Sequence, residues 1–220
     1  MLLQIDKILS APECEAIVSA VGDPALWRDG KETAKGGAKS VKSNTQAAAS
    51  APPVKGSVSK ILDTLRAHPV FQAAAQPADF IRPTINRYSP GMSYGDHVDA
   101  PYINNLRTDL SFTLFLTDPD TYAGGELVID NQGHEDRIKG SAGSLVLYPS
   151  SSVHRVDEVT TGERICCIGW VKSRIRSAEQ RGLLFEIEQT LADLRDVNAP
   201  SQTHNRLLNV RNNLLRLFGE

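Results

Sequence analysis

Cysteine is scarce in this 220-residue sequence: there are three, Cys14, Cys166 and Cys167. An odd count with an adjacent pair makes no disulfide framework, and the lack of a CxxC pair removes the usual zinc spacing. The three read as reduced thiols used as small hydrophobes, which points to the cytoplasm. An excess charge of one sign is also missing. With 24 Lys and Arg against 26 Asp and Glu, the net charge is −2. No basic field is available to grip a phosphate backbone, so no nucleic-acid partner is expected. No apolar run nears the roughly 20 residues that span a bilayer, so no membrane partner is expected either. The opening MLLQIDKIL carries Asp6 and Lys7 inside its apolar stretch and lacks a basic leader with a cleavage site. It does not read as a signal peptide. What is present is ordinary: 40% hydrophobic residues, enough for one domain with a proper core and a modest appendage.

The chain divides into three parts by texture. Residues 1–78 predict a short strand, then a helix to about residue 21 started by Ser10, Pro12 and Glu13, with Cys14, Ile17, Val18 and Val21 at helical spacing. A polar stretch, 28–57, rich in Gly, Lys, Ser and Ala, reads as exposed strand and loop, a lid-like segment on the core. A second helix is predicted over 58–71, ended by Pro69. Residues 79–173 alternate short β-rich runs with Gly, Pro, Asn and Asp, which implies an antiparallel sandwich or barrel. LSFTLFLTD is apolar on both faces and is placed centrally. Residues 174–220 return to helical period as a hairpin. Leu184, Ile187, Leu191 and Leu194 form one stripe, and Leu207, Val210, Leu214 and Leu217 the other. These stripes must pack on the β-core or on a second subunit, so a homodimer through the C-terminal helices is one expectation.

The chemistry centres on YSPGMSYGDHVD. In extended backbone, residues two apart share a face, so His97 and Asp99 can reach one ion. His154, 55 residues after Asp99 and just past a strand and tight turn, is the candidate third ligand. His134 competes for that role, but NQGHED reads as an exposed hairpin tip. Two neutral imidazoles and one carboxylate make the facial triad of non-haem iron(II) oxygenases, with three positions left for a chelating 2-oxoacid and dioxygen. The ion keeps one net positive charge, which favours an anionic co-substrate. A distal carboxylate on that co-substrate needs a cation. Arg164, ten residues past His154, opens ERICCIGWV and would share a strand face with Cys166, Ile168 and Trp170. Its guanidinium fork suits a carboxylate better than a lysine would. Asn86 and Tyr88 share a face before the turn to His97 and could donate hydrogen bonds to the oxoacid. Lys42 and Asn44, in the polar stretch 28–46, are candidates for substrate contacts.

These strings, together with WRDGKETAKGGAKSVKSNTQ, RTDLSFTLFLTDPDTYAGGELVI and GSLVLYPSSSVHRVDEVTTGER, give the chain a nearly end-to-end resemblance to the PKHD-type hydroxylases, bacterial relatives of prolyl and lysyl hydroxylases. The resemblance implies a mainly β fold, a double-stranded β-helix or jelly roll, with flanking helices. It implies iron(II) on His97, Asp99 and His154, and 2-oxoglutarate with its distal carboxylate on Arg164. The spacing of Asn86 and Tyr88 before His97 resembles the co-substrate contacts of nucleic-acid demethylases on the same fold. Ascorbate is the reductant the resemblance implies. The expected activity is hydroxylation of an unactivated C–H in a small molecule or protein side chain, with release of succinate and carbon dioxide. A carboxylate at Asp99 argues against halogenation, because only a small residue there would open a halide position. Two rival readings are a non-catalytic metal- or ligand-binding jelly roll and a nucleic-acid demethylase. Arg164 argues against the first, and the acidic balance against the second.

Overall fold

The computed structural model describes every residue except Ala34, Lys35 and Gln132. Parts of the expected lid-like segment and of the hairpin tip beside His134 therefore lie outside the described residues. The chain opens with β1 (Leu3–Ile5) and α1 (Ala11–Ala20). Glu13 starts this helix by accepting from the Ser10 N–H at 2.9 Å and the Ser10 hydroxyl at 2.8 Å. Next come β2 (Trp27–Asp29), β3 (Lys42–Ser43) and β4 (Thr45–Ala47).

Two helices, α2 (Pro52–Ala67) and α3 (Pro69–Ala75), occupy the region where the sequence predicts one over 58–71. Pro52 and Pro53 lie in the first turn of α2, where no intrahelical N–H bond is lost, so the helix begins earlier than its apolar face suggests. Pro69 both stops α2 and opens α3, with His68 Nδ1 accepting from the Phe71 N–H at 3.4 Å.

The β-rich region comprises β5 (Pro77–Tyr88), β6 (Ser93–His97), β7 (Tyr102–Ile103), β8 (Leu106–Arg107) and β9 (Leu110–Phe115). It continues through β10 (Ala123–Gly124), β11 (Leu127–Asn131), β12 (His134–Ile138) and β13 (Leu145–Pro149). β14 (His154–Val156), β15 (Val159–Thr161) and β16 (Arg164–Ser173) complete it. The C-terminal hairpin is α4 (Ala178–Asp196) and α5 (Ser201–Phe218).

A seven-stranded sheet runs β1-β13-β9-β16-β5-β4-β2, and a five-stranded sheet runs β12-β11-β14-β6-β3. All pairings in both are antiparallel. This is a double-stranded β-helix with helices packed on the larger sheet. The boundary expected between residues 78 and 79 falls inside β5, and β4 pairs with that same strand.

Alternation along the central strands sorts residues to two faces. Leu110, Phe112 and Leu114 of β9, with Leu145, Leu147, Ile165, Cys167 and Val171, join α1, α2, α3 and α4 in one core. The opposite face carries Phe115, Val146, Tyr148 and Cys166 into a second core with Leu127, Ile129 and Val156 of the smaller sheet. Ser111 and Thr113 lie on that second face and line a cavity. β9 is thus buried on both faces but apolar on only one.

Of the stretch 28–57 expected as exposed strand and loop, Arg28, Asp29, Lys31, Glu32 and residues 39–41 are exposed, but the strands that follow them are not. Lys42, Asn44 and Gln46 are buried at 6%, 3% and 6% exposure, because β3 and β4 are paired strands whose polar side chains form a cavity wall. In the hairpin, Leu184 and Leu191 of α4 are buried, whereas Val210 and Leu217 of α5 are 48% and 73% exposed. The expected α5 stripe is therefore split between α4 and the surface, and Arg211 Nε holds the two helices together by donating to Glu188 at 2.6 Å. No helix among the described residues is long and apolar enough to cross a membrane.

Candidate metal centre

His97 ends β6 and His154 begins β14, and the two strands pair with His97 directly opposite His154. Their ring centres lie 4.2 Å apart. Asp99 lies two residues beyond His97, and its Oδ2 is 3.8 Å from His154 Nε2. One ligand atom from each of the three falls within 4.8 Å of the others. His134, by contrast, is exposed in the β11–β12 hairpin.

Each member of the trio is held by a neighbour. His97 Nδ1 meets the Gly95 carbonyl at 2.8 Å, and His154 Nδ1 meets the Ser152 carbonyl at 3.1 Å. A carbonyl can only accept, so these contacts put the proton on Nδ1 and leave each Nε2 lone pair free for a metal. The His97 ring stacks on Tyr94 at 3.7 Å, and Tyr148 meets the His154 ring edge-on at 5.1 Å. The Ser111 hydroxyl donates to Asp99 Oδ2 at 2.6 Å and lies 2.9 Å from the Ser150 hydroxyl. Burial, followed by the nearby His154, pulls the His97 pKa down to about 4, so its imidazole is neutral at pH 7. A site of two imidazoles and one carboxylate suits a divalent metal of the iron, zinc or manganese type.

The trio lines a cavity of about 280 Å³ between the two sheets. Arg164, Asn86 and Tyr88 line the same cavity, placed by the β16–β5 register that sets Arg164 against Tyr88 and Cys166 against Asn86. Arg164 is 1% exposed. Its Nη1 donates to Cys166 Sγ at 3.0 Å, while Nε and Nη2 have no partner among the described residues. The guanidinium lies over the rings of Tyr88 and Phe115, at 5.2 and 5.3 Å. Gly125 makes room for it: a Cβ there would sit 3.0 Å from Arg164 Cδ and 2.9 Å from Val159 Cγ2. A buried, half-unpaired guanidinium is an unmet demand for an anion. Burial pushes the Tyr88 phenol above its usual range, which keeps it a neutral O–H donor. Asn86 Oδ1 is buried without a partner among the described residues.

The trio, Arg164, Tyr88 and Asn86 are all expected from the sequence, and the fold gathers them in one cavity. Ser111 and Ser150, which brace Asp99, are not foreseen there. The available signal is a pair of hydroxyl residues, Ser111 and Thr113, on one face of an otherwise apolar strand. Arg82 and Trp170, both in the cavity wall, are likewise unforeseen as site residues.

A family model described as the 2OG-Fe(II) oxygenase superfamily matches residues 83–172. A PKHD-type hydroxylase of Parvibaculum lavamentivorans is 41% identical over 221 residues, covering 100% of both chains. A PKHD-type hydroxylase of Acaryochloris marina is 39% identical over 220 residues, again covering 100% of both. Among solved structures, a Pseudomonas putida prolyl-4-hydroxylase aligns with a TM-score of 0.56 at 20% identity, covering 79% of this chain and 92% of that one. At that identity the likeness speaks for the fold alone. The full-length relatives speak for more: this chain belongs to the PKHD-type hydroxylases of the 2OG-Fe(II) oxygenase superfamily, enzymes that depend on iron(II) and 2-oxoglutarate.

Proposed function

We propose that His97, Asp99 and His154 hold the iron(II), that Arg164 takes the distal carboxylate of 2-oxoglutarate, and that Tyr88 and Asn86 position that co-substrate. The observation that carries this reading is the joint one. Three converging ligand atoms within 4.8 Å share a cavity with a buried guanidinium that has two unpartnered nitrogens. Iron(II) and 2-oxoglutarate, when bound, would use dioxygen as the oxidant, one oxygen atom going to the hydroxylated C–H and the other to the succinate formed as 2-oxoglutarate loses carbon dioxide.

The chain's own residues supply the setting. The Gly95 and Ser152 carbonyls fix both imidazole tautomers, and Ser111 fixes the carboxylate. Arg164 fixes the co-substrate's orientation through a fork that accepts only a matching carboxylate. Leu127, Val156 and Ile168 give the cavity an apolar side, and the lower local polarity there strengthens these interactions. No separate acid or base is required.

Ascorbate serves as the reductant in this reading, and the cytoplasm is the compartment. The substrate is a small molecule or a protein side chain. A nucleic-acid substrate is disfavoured by the net charge of −2. The exposed Val210 and Leu217 favour a homodimer through α5. The test is succinate formation from 2-oxoglutarate with added iron(II). Wild-type protein forms succinate and Asp99→Ala forms none; turnover that survives in Asp99→Ala refutes the ligand assignment.

A further inference from the structure

Beyond the trio and Arg164, the cavity wall carries two more cations, Lys42 and Arg82. Lys42 is 6% exposed. Its Nζ lies 3.3 Å from Thr33 Oγ1, which itself donates to Gln46 Oε1 at 2.6 Å. The same ammonium sits 5.1 Å from the centre of the Tyr94 ring. Neither Lys42 nor Arg82 forms an ion pair among the described residues. Asp99 is the only acid in the described cavity wall, and its Oδ2 is already engaged by Ser111.

The two cations feel each other. Burial, and then the charge of Arg82, hold the Lys42 pKa down to about 8 against the pull of Asp99 and Asp29. Arg82 also sits in a costly conformation. It has a φ of +47° immediately before Pro83, where β5 bulges opposite the Ile168–Trp170 step of β16. Non-glycine residues avoid this region, and bulges near sites re-aim side chains. In the same wall, both polar atoms of the Asn44 amide and the Trp170 indole Nε1 are buried without a partner among the described residues. A buried ammonium and an exposed guanidinium in one cavity wall, with no carboxylate partner among the described residues and with unpaired polar atoms in the same wall, are arranged for an anion from outside the chain.

We infer that the substrate carries an anionic group, a carboxylate or a phosphate, bound between Lys42 and Arg82, with Asn44 and Trp170 hydrogen-bonding its flank. This rests on the iron and 2-oxoglutarate reading above and adds the substrate class. A neutral aliphatic substrate would leave the buried Lys42 ammonium and the buried Asn44 amide without a partner, with the solvent-facing Arg82 at the cavity rim unused.

The experiment is calorimetry on manganese(II)- and 2-oxoglutarate-loaded protein with matched ligand pairs. N-acetyl-L-amino acids are compared with their carboxamides, and glycerol 3-phosphate with glycerol. Wild-type protein binds the charged member of at least one pair tenfold or more tightly, and the responding pair tells carboxylate from phosphate. Lys42→Met and Arg82→Asn each erase that preference; asparagine is chosen because it tolerates positive φ. Both variants bind 2-oxoglutarate with wild-type affinity. Equal binding of charged and neutral members, binding of none, or a tenfold loss of 2-oxoglutarate affinity in both variants overturns the inference. Normal succinate formation beside any of those results leaves the iron and co-substrate reading standing. Its absence in wild type removes that reading first.

Discussion

Replacing Arg164 with methionine should push stability and co-substrate binding in opposite directions. Arg164 is 1% exposed with Nε and Nη2 unpartnered, so the unliganded protein carries a buried charge that is only partly compensated. Methionine of similar length removes that charge while keeping contact with Tyr88 and Phe115. Exchanging uncompensated buried ions for apolar side chains is neutral or stabilising by about 1–4 kcal/mol. The unliganded variant should therefore melt at the wild-type temperature or above it. Binding goes the other way. Losing a bidentate, desolvated carboxylate contact costs about 3 kcal/mol, or roughly two decades in 2-oxoglutarate affinity. At a concentration of about 100 times the wild-type Kd, ligand stabilises wild type by about 2.7 kcal/mol. For a chain of this size that is a rise of about 5–10 °C in Tm. In Arg164→Met the same concentration is near the new Kd and should raise Tm by under about 2 °C. Thermal melts of the metal-loaded protein, with and without 2-oxoglutarate, read both effects. A variant that is strongly destabilised without ligand yet keeps the full 2-oxoglutarate shift would show that Arg164 is a structural residue and would refute the reasoning.

Ser111→Ala removes the hydroxyl that donates to Asp99 at 2.6 Å; metal affinity measured by competition with a chelator should fall about 10–100-fold while the fold is retained. Gly125→Ala puts a Cβ 3.0 Å from Arg164 Cδ at a φ of +70°; the 2-oxoglutarate KM should rise, and Tm should fall by about 2–8 °C from a strain of about 1–2 kcal/mol. Anion affinity at the Lys42–Arg82 pair should be flat below pH 8 and decline above it, as Lys42, held to about 8, loses its proton; the facing groups are Arg82, Asp99 and Asp29. In Lys42→Met that decline should vanish, and calorimetry across pH 6–9.5 would show it.

Part of the site is legible in the sequence, and the rest is hidden for physical reasons. His97 and Asp99 can be paired because two-residue spacing is a local property of extended chain. His154 can be proposed as their partner, but its position opposite His97 is a long-range register set by β6 and β14. The strand face shared by Arg164, Cys166 and Trp170 is readable from alternation, as is the central place of β9. Lys42, Asn44 and Gln46 look like solvent-facing residues because composition does not distinguish a polar surface from a polar cavity wall. Only β3 and β4 joining the sheets does that. The Arg82 bulge is invisible for a related cause: an Arg-Pro step inside a strand signals an irregularity but not the direction it takes. Pro69 reads as an ending because a proline stops the helix behind it. Its second use, in the first turn of α3, depends on whether residues 70–75 can themselves form a helix.

The distribution of unpaired polar atoms ties these features together. Seven buried side-chain nitrogen and oxygen atoms lack a partner among the described residues. All but the Tyr122 hydroxyl belong to Asn44, Asn86, Arg164 and Trp170, which line the one cavity. Burying such groups unpaired is costly, and a stable fold keeps them few. Here they are concentrated where the larger sheet turns its polar face inward, while its other face is sealed by helices through Phe71, Phe112 and Leu145. Arg164 is thereby left open to a carboxylate, and the wall that carries Lys42 and Arg82 to another anion. A protein that only bound metal at His97, Asp99 and His154 would have no physical reason to keep these other groups unpaired.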